Sequence, residues 1–227
     1  MIHYHGPVVV FDLDDTLFRE RDFCRSGFNF LCSRYGEEGE ALAKAMDEEL
    51  TARRNPFVPY EKFLTSKEGG DSFDLDSDIA RYRSHEPARL PLADGVKEVV
   101  NELSARGVMM AVITDGRSVT QRNKIKALGL DRYVPQENVW ISEESGRDKH
   151  SPDSFVEVVR KYPEARSFFY VGDNELKDFH QANLLGWTTV KVPYHSDNVH
   201  PDTNESDPIK KATVEIRDFK DILKIIF

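Results

Sequence analysis

The stretch VVVFDLDDTL at residues 8–17 decides the fold of this chain. Its first four residues are apolar and mostly β-branched, which is typical of a short strand buried on both faces of a parallel sheet. Asp12 and Asp14 follow directly, with Asp15 and Thr16 beside them. Ligands on open parallel sheets bind beyond the carboxyl ends of the strands. The stretch therefore predicts carboxylates at a ligand-binding edge, although a solvated acidic turn would also fit these residues.

Further apolar runs of strand length recur along the chain and alternate with helical patterns. In the helical segments apolar residues follow the i, i+3, i+4, i+7 spacing, as at residues 96–103 and 155–162. Strands that alternate with helices are typical of a doubly wound parallel sheet. We therefore predict an α/β fold built on such a sheet. Its strands are expected at residues 8–11, 109–113, 139–141, 168–171 and 189–192.

Polar residues follow several predicted strands or precede predicted helices. Each could be an ordinary turn or surface residue, but the carboxyl ends of parallel strands would bring them to one edge of the sheet. Carboxylates gathered at such an edge suit a hard divalent cation, commonly Mg²⁺ where phosphate is the other partner. In chain order the residues are Asp12 and Asp14, then Thr114, Asp115 and Gly116, then Lys149, and finally Asp173 and Asp178.

This ordered set of motifs resembles that of the haloacid dehalogenase superfamily of phosphotransferases. The superfamily has Asp-x-Asp after its first strand, Thr or Ser after its second, a distant Lys, and Gly-Asp-x-x-x-x-Asp, and all four stand here in that order. The resemblance extends from about residue 8 to the C-terminus, apart from one insert. The chain departs from the family in its third motif, because His150 follows Lys149 where proline is usual. The resemblance implies a Rossmann-like α/β core.

The interval from residue 19 to residue 89 interrupts the alternation of strands and helices. It is rich in Glu, Arg, Ala and Leu, it reads as several helices without a convincing strand, and Asn55-Pro56 and Gly69-Gly70 punctuate it. By the resemblance, residues 19–89 are a small α-helical cap, and residues 1–18 and 90–227 are the catalytic core. A helical excursion that only covers the edge of the sheet would produce the same pattern.

The resemblance also implies roles for the acidic residues. Asp12 would be the nucleophile that forms an aspartyl phosphate, and Asp14 would protonate the leaving alcohol and then take a proton from water. Mg²⁺ would be held by Asp12, by the backbone carbonyl of Asp14 and by Asp173. Asp178 would lie behind these ligands and orient a metal-bound water or Lys149. The plainer alternatives are a turn acid for Asp173 and a helix-start acid for Asp178.

Four residues are expected to bind the phosphoryl group. By the resemblance, Lys149 would place a cation beside its oxygens. The Thr114 hydroxyl and the backbone N–H groups near Asp115 and Gly116 would hold a non-bridging oxygen and keep the attack in line. A solvated surface lysine is the plainer interpretation of Lys149.

The helix after this turn carries Arg117, Gln121 and Lys124 at the spacing i, i+4, i+7. Residues so spaced lie on one face of a helix. They could line the entrance to the site, but a polar helix face usually meets solvent. We therefore predict that this face is exposed.

Composition narrows the class of protein. The chain has 227 residues, 39% of them hydrophobic, and a formal net charge of −9, which supports a packed core and argues against an electrostatic nucleic-acid binder. No stretch approaches the length of a membrane span, and the first residues lack the features of a signal peptide. A cytoplasmic protein without a nucleic-acid or membrane partner is therefore expected. Nothing in the sequence predicts its oligomeric state.

These expectations combine into one predicted function, a Mg²⁺-dependent phosphatase for a small soluble phosphomonoester of the sugar or nucleotide phosphate class. Dehalogenases of the superfamily lack an acid two residues after the nucleophile, so Asp14 disfavours dehalogenation. A signalling receiver domain would have its acidic pair before its lysine, whereas an acidic pair here follows Lys149. A phosphomutase of the same superfamily and a non-catalytic phosphate- or metabolite-binding protein on this fold are the alternatives.

Overall fold

A computed structural model describes residues 3–68 and 73–227, so the predicted break at Gly69-Gly70 lies outside the described residues. The described chain contains a six-stranded sheet whose strands are all parallel, in the order β3-β2-β1-β4-β5-β6. The strands are β1 (Pro7–Phe11), β2 (Met109–Thr114), β3 (Val139–Ile141), β4 (Ser167–Gly172), β5 (Thr188–Lys191) and β6 (Val214–Glu215).

Helices connect the strands and also form the insert between β1 and β2. The α-helices are α1 (Glu20–Cys32), α2 (Gly36–Thr51), α3 (Phe57–Glu68), α4 (Leu75–Ser84), α5 (Val96–Ala105), α6 (Ser118–Leu128), α7 (Ser142–Ser145), α8 (Asp153–Lys161), α9 (His180–Leu184) and α10 (Ile222–Ile226). Short 3₁₀ turns occur at Ser33–Tyr35, Leu130–Arg132, Gln136–Asn138 and Phe219–Asp221. The predicted α/β class is confirmed, and each of the five predicted strands is present within one residue at either end.

Strand β1 has helices on both of its faces because its side chains alternate between two hydrophobic cores. Val9 and Phe11 pack with apolar residues of α5, α6 and α10 on one face. Val8 and Val10 pack with apolar residues of α8 and α9 on the other face. All four side chains are almost completely buried. This two-sided burial confirms the doubly wound arrangement that the apolar run predicts.

The strand order places a crevice between β1 and β4. The order of the strands reverses at this point, and such a switch point is where open α/β sheets bind ligands. Asp12 directly follows β1, and its backbone N–H donates to the carbonyl of Val171 at 2.8 Å, which extends the pairing of the two strands. Asp173 directly follows β4. Both acids therefore stand at the mouth of the crevice.

The described part of residues 19–89 is helical and has an apolar core of its own. Helices α1, α2 and α3 contribute side chains to a separate hydrophobic cluster. Its most completely buried members are Phe28, Leu31, Cys32, Met46, Tyr60 and Leu64. A helical insert is therefore present. Its role as a cap, with a catalytic core at residues 1–18 and 90–227, stays a prediction.

His85 lies just after α4 and is buried among aromatic rings. Its ring centroid is 4.3 Å from that of Phe23 and 5.9 Å from that of Phe30. Its Nδ1 lies 2.7 Å from the carbonyl oxygen of Tyr82, while its Nε2 is buried without a partner among the described residues. Burial lowers the pKa of His85 below its usual value of 6.5, because the charged form loses its hydration.

Acid is therefore expected to destabilise the protein in part through His85. Below pH 6.5 the unfolded chain binds more protons than the folded chain, so stability falls as the pH decreases through that value. The loss from one such group is at most about 1.4 kcal/mol per pH unit. Urea denaturation at about pH 7.5 and about pH 5.5 checks this, with a smaller acid loss expected in His85→Phe than in wild type. An equal loss in both proteins would contradict the expectation.

Candidate active site

Asp12 is held at the carboxyl end of β1 by two neighbours. Its Oδ1 forms an ion pair with Nζ of Lys149, and its Oδ2 accepts a hydrogen bond from Oγ1 of Thr16 at 3.2 Å. Burial raises the pKa of Asp12 to about 7, although the charge of Lys149 acts in the opposite direction. Burial also opposes the charge on Lys149, but Asp12 and Asp178 raise its pKa well above the ordinary value. Lys149 is therefore a buried cation beside the predicted nucleophile.

Three carboxylates converge next to Lys149. One oxygen atom from each of Asp12, Asp173 and Asp178 lies within 4.8 Å of the others. Asp178 accepts hydrogen bonds from Nζ of Lys149 at 2.7 Å and from the backbone N–H of Asn174 at 2.9 Å. The carboxylate of Asp173 accepts no hydrogen bond from any residue that the structure describes. Burial and the charges of Asp178 and Asp12 raise the pKa of Asp173 to about 9.

This cluster has the chemistry of a divalent-cation site. Carboxylate oxygens are ligands that Mg²⁺ prefers in proteins. A cation between Asp12 and Asp173 would supply the partner that Asp173 lacks among the described residues and would offset the repulsion that raises its pKa. The structure thus brings together Asp12 and Asp173, the two side chains predicted as ligands. Asp178 lies in the same cluster, whereas the sequence predicts that it lies behind the metal ligands.

The carboxylate of Asp14 is held by two residues of α6. Its Oδ1 lies 2.7 Å from Nζ of Lys124, and its Oδ2 accepts a hydrogen bond from Nε2 of Gln121 at 2.8 Å. Gln121 is only 1% exposed and Lys124 only 3% exposed. The prediction of a solvent-exposed face is therefore wrong for these two residues, and only Arg117 is exposed. The i, i+4, i+7 spacing is the same for a buried face and for an exposed one, so it carried no signal of this contact.

The turn after β2 lines the same region. The Thr114 hydroxyl accepts a hydrogen bond from Nε2 of Gln121 at 2.6 Å, which leaves its own proton free to be donated elsewhere. Asp115 accepts the backbone N–H of Lys149 at 3.1 Å and so ties the second motif to the third. The predicted phosphate-binding residues Thr114 and Lys149 thus belong to one connected network.

Gly116 has a different part in this turn. Its backbone N–H donates to Oγ of Ser142 at 2.9 Å, so the predicted contact with phosphate would require this hydrogen bond to be exchanged. Its φ of 143° lies in a region that favours glycine. A Cβ atom here would lie 3.1 Å from Cδ of Gln121. Gly116 therefore makes room for the side chain that holds Asp14 and Thr114.

Seven of the eight predicted site residues line one cleft, and Gly116 is the exception. The volume of the cleft is about 100 Å³, which is small beside the several hundred Å³ of pockets for larger organic ligands. The sequence does not predict Lys177, Glu20 or His200, which also line it. Lys177 stands inside the fourth motif and could have been found from its position, whereas Glu20 belongs to α1 and His200 to the loop after β5.

Gly172 is expected to be irreplaceable because Asp178 packs against it. A Cβ atom at residue 172 would clash with Oδ2 of Asp178 and lie 2.7 Å from its Cγ. Gly172→Ala should therefore displace Asp178 from Lys149, lower the free energy of unfolding by about 1–3 kcal/mol and reduce activity. Asp178→Ala removes the two closest contacts and leaves only its Cβ, 3.0 Å away, so the two substitutions should be less than additive in urea denaturation. Strict additivity would contradict this expectation.

Comparison with known proteins gives consistent results. A family model described as haloacid dehalogenase-like hydrolase matches residues 9–192. The chain is similar to a glyceraldehyde 3-phosphate phosphatase of Methanopyrus kandleri, at 26% identity in an alignment 194 positions long that covers 81% of this chain and 82% of that protein. It is also similar to a phosphoserine phosphatase of Thermus thermophilus, at 26% identity in an alignment 239 positions long that covers 88% of this chain and 93% of that protein.

Solved structures show the same fold. A haloacid dehalogenase-like hydrolase of Bacillus subtilis, solved with bound magnesium, superposes with a TM-score of 0.61 at 19% identity and covers 98% of this chain and 99% of its own.

Within residues 3–68 and 73–227, no helix combines the length and the apolar character that crossing a bilayer requires.

The family match spans β1 to β5 and includes all four motifs. These two relatives are phosphatases, and each aligns over more than four fifths of its length. The prediction that the chain is a phosphoric monoester hydrolase is therefore confirmed. The chain belongs to the haloacid dehalogenase-like hydrolase family.

Proposed function

We propose that this protein is a Mg²⁺-dependent phosphatase that cleaves a small soluble phosphomonoester through an aspartyl phosphate on Asp12. The observation that carries the proposal is the convergence of Lys149 and the carboxylates of Asp12, Asp173 and Asp178 in one cleft. A nucleophilic carboxylate and a phosphate dianion repel each other, so the reaction needs positive charge at the point of attack. Lys149 and a cation at the carboxylates would supply it.

The residues around Asp12 support nucleophilic attack. Thr16 and Lys149 each hold one carboxylate oxygen, so the nucleophile is oriented before the substrate arrives. A bond forms between an Asp12 oxygen and phosphorus while the bond from phosphorus to the ester oxygen breaks. The departing oxygen takes a proton from Asp14. When bound, Mg²⁺ would be held by Asp12 and Asp173 and would offset negative charge between the carboxylate and the phosphoryl oxygens.

The second half of the reaction regenerates the enzyme. Asp14, now a carboxylate, takes a proton from a water molecule as that water attacks the phosphorus of the aspartyl phosphate. Inorganic phosphate leaves, Asp12 is free again, and Asp14 has regained its proton. Thr114 is buried, and its hydroxyl proton has no acceptor within residues 3–68 and 73–227, so it is suited to hold a phosphoryl oxygen through both steps.

The relatives favour a short substrate. The named substrates of the two relatives, glyceraldehyde 3-phosphate and phosphoserine, are three-carbon esters. We therefore favour a small sugar phosphate or similar acyclic ester over a nucleotide.

Glu20 of α1 lines the cleft, which supports the proposal that residues 19–89 form a cap over it. We also propose that the protein acts in the cytoplasm.

A screen of small phosphomonoesters tests the proposal. Release of inorganic phosphate should require Mg²⁺ and should cease when a chelator is added. Turnover that is unaffected by the chelator would contradict the metal dependence. Isomerisation of the ester without release of phosphate would instead indicate a phosphomutase. No reaction with any ester would contradict the phosphatase proposal altogether.

A further inference from the structure

Lys124 connects the carboxylate of Asp14 to the helical insert. Its Nζ lies 2.7 Å from Oδ1 of Asp14 and 3.6 Å from Oε1 of Glu20, which is the first residue of α1. The same Nζ lies 4.8 Å from the ring centroid of Phe23, also in α1, and 5.8 Å from that of Phe18. The ammonium group is therefore enclosed by groups from the core and from the insert, and its position depends on both.

Lys124 and Gln121 together account for every hydrogen bond to the Asp14 carboxylate from residues 3–68 and 73–227. Each holds one oxygen, so the plane of the carboxylate is fixed from the side of α6. Nε2 of Gln121 also donates to the Thr114 hydroxyl, so it divides its two hydrogens between Asp14 and other acceptors. Lys124 is the stronger of the two partners, because it carries a charge and is shielded from water.

We propose that Lys124 is a positioning residue for proton transfer by Asp14. We further propose that Glu20, through its contact with Lys124, couples the position of the Lys124 ammonium group to that of the insert. The inference rests on the proposed phosphatase function. A general acid works only within hydrogen-bond reach of the oxygen that it protonates. Without Lys124, Gln121 alone would hold the Asp14 carboxyl group, at one oxygen only, and its orientation would no longer be fixed. Loss of Lys124 therefore slows the first step, formation of the aspartyl phosphate, in proportion to the leaving group's need for a proton.

Two esters separate this role from a structural one. p-Nitrophenyl phosphate releases a stable anion that leaves without a proton, whereas glycerol 2-phosphate releases an alkoxide that needs one. With saturating Mg²⁺, Lys124→Met should lower kcat/KM, which measures the rate of the steps up to departure of the leaving group, about 100-fold on glycerol 2-phosphate and less than about 10-fold on p-nitrophenyl phosphate. Glu20→Gln should shift the ratio of the two rates in the same direction by about 3-fold. Lys124→Arg keeps the charge and should recover part of the loss.

Lys191→Met is the matched control. Lys191 is also a buried lysine, 2.6 Å from the carbonyl oxygen of Thr203 and 3.1 Å from Oδ1 of Asp202, but it lies beyond the lining of the cleft. Its replacement should leave the ratio of the two rates at the wild-type value. If circular dichroism shows that Lys124→Met is unfolded, Glu20→Gln decides the matter, and an unchanged ratio there would overturn the inference.

The outcomes also separate this inference from the proposed function. If the wild type is active and Lys124→Met loses kcat/KM equally on both esters, the positioning role is overturned and the phosphatase proposal stands. Wild type that hydrolyses neither ester in the presence of Mg²⁺ would refute the phosphatase proposal and the positioning role with it.

Discussion

Replacing Asp12 with asparagine is expected to lower kcat for ester hydrolysis by about 10⁴-fold or more, because the neutral amide cannot form the acyl phosphate. The fold should persist, since Lys149 keeps Asp178 as an ionic partner. Phosphate release in the presence of Mg²⁺ measures the loss. Acid quenching with a ³²P-labelled substrate should trap labelled wild-type protein and leave Asp12→Asn unlabelled. A variant that retains more than about 1% of wild-type activity would contradict Asp12 as the nucleophile.

Asp15→Asn is a matched control three residues along the chain. Asp15 is also buried, but its carboxylate accepts the backbone N–H groups of Glu20 at 3.0 Å and Val199 at 2.9 Å. Its φ of 54° is a left-handed conformation that asparagine also tolerates. Asp15→Asn should lower mainly the free energy of unfolding, because it weakens these two hydrogen bonds, and should lower kcat by less than about 10-fold. A comparable collapse of activity in both variants would show that the effect is not specific to the nucleophile.

Asp173→Asn is expected to be more stable than wild type without metal and less stable than wild type with Mg²⁺ bound. The pKa of Asp173 is about 9 in the metal-free fold and 3.8 as its ordinary value. Between these values the folded chain keeps a proton that the unfolded chain has released, so metal-free stability falls as the pH rises through this window. Asparagine has no such proton to lose. In chelator at about pH 8 the variant should therefore be more stable than wild type.

Magnesium should reverse that order. Mg²⁺ at about 100 times its dissociation constant would stabilise wild type by about 2.7 kcal/mol, or roughly 5–10 °C in Tm for a chain of this size. Asp173→Asn should lose most of this rise, and kcat should fall by about 100-fold or more. Asp131→Asn, at an exposed site, should respond to Mg²⁺ as wild type does. An equal rise of Tm in wild type and Asp173→Asn would exclude Asp173 as a ligand.

The strands and the positions of the acids were predictable because their signals are local. The run before Asp12 has a composition that indicates burial on both faces, and a parallel sheet carries the residues after such a run to one edge. Strand β6 is absent from the prediction because two residues, Val214 and Glu215, show no periodicity. The partners of Asp14 were missed for another reason. Gln121 and Lys124 are polar residues on a helix. The groups around them come from other segments of the chain, Asp14 for both and also Glu20 for Lys124.

The amino-acid order alone therefore specifies the doubly wound sheet and the sequence in which carboxylates, a hydroxyl and a lysine reach its edge, since strand and turn preferences act over a few neighbours. Folding in three dimensions settles which of those groups touch. It places Asp178 beside Asp12 and Asp173, and it encloses Lys124 between Asp14 and Glu20. Most of these contacts join residues about 100 or more positions apart, and their energies depend on burial that no local pattern reports.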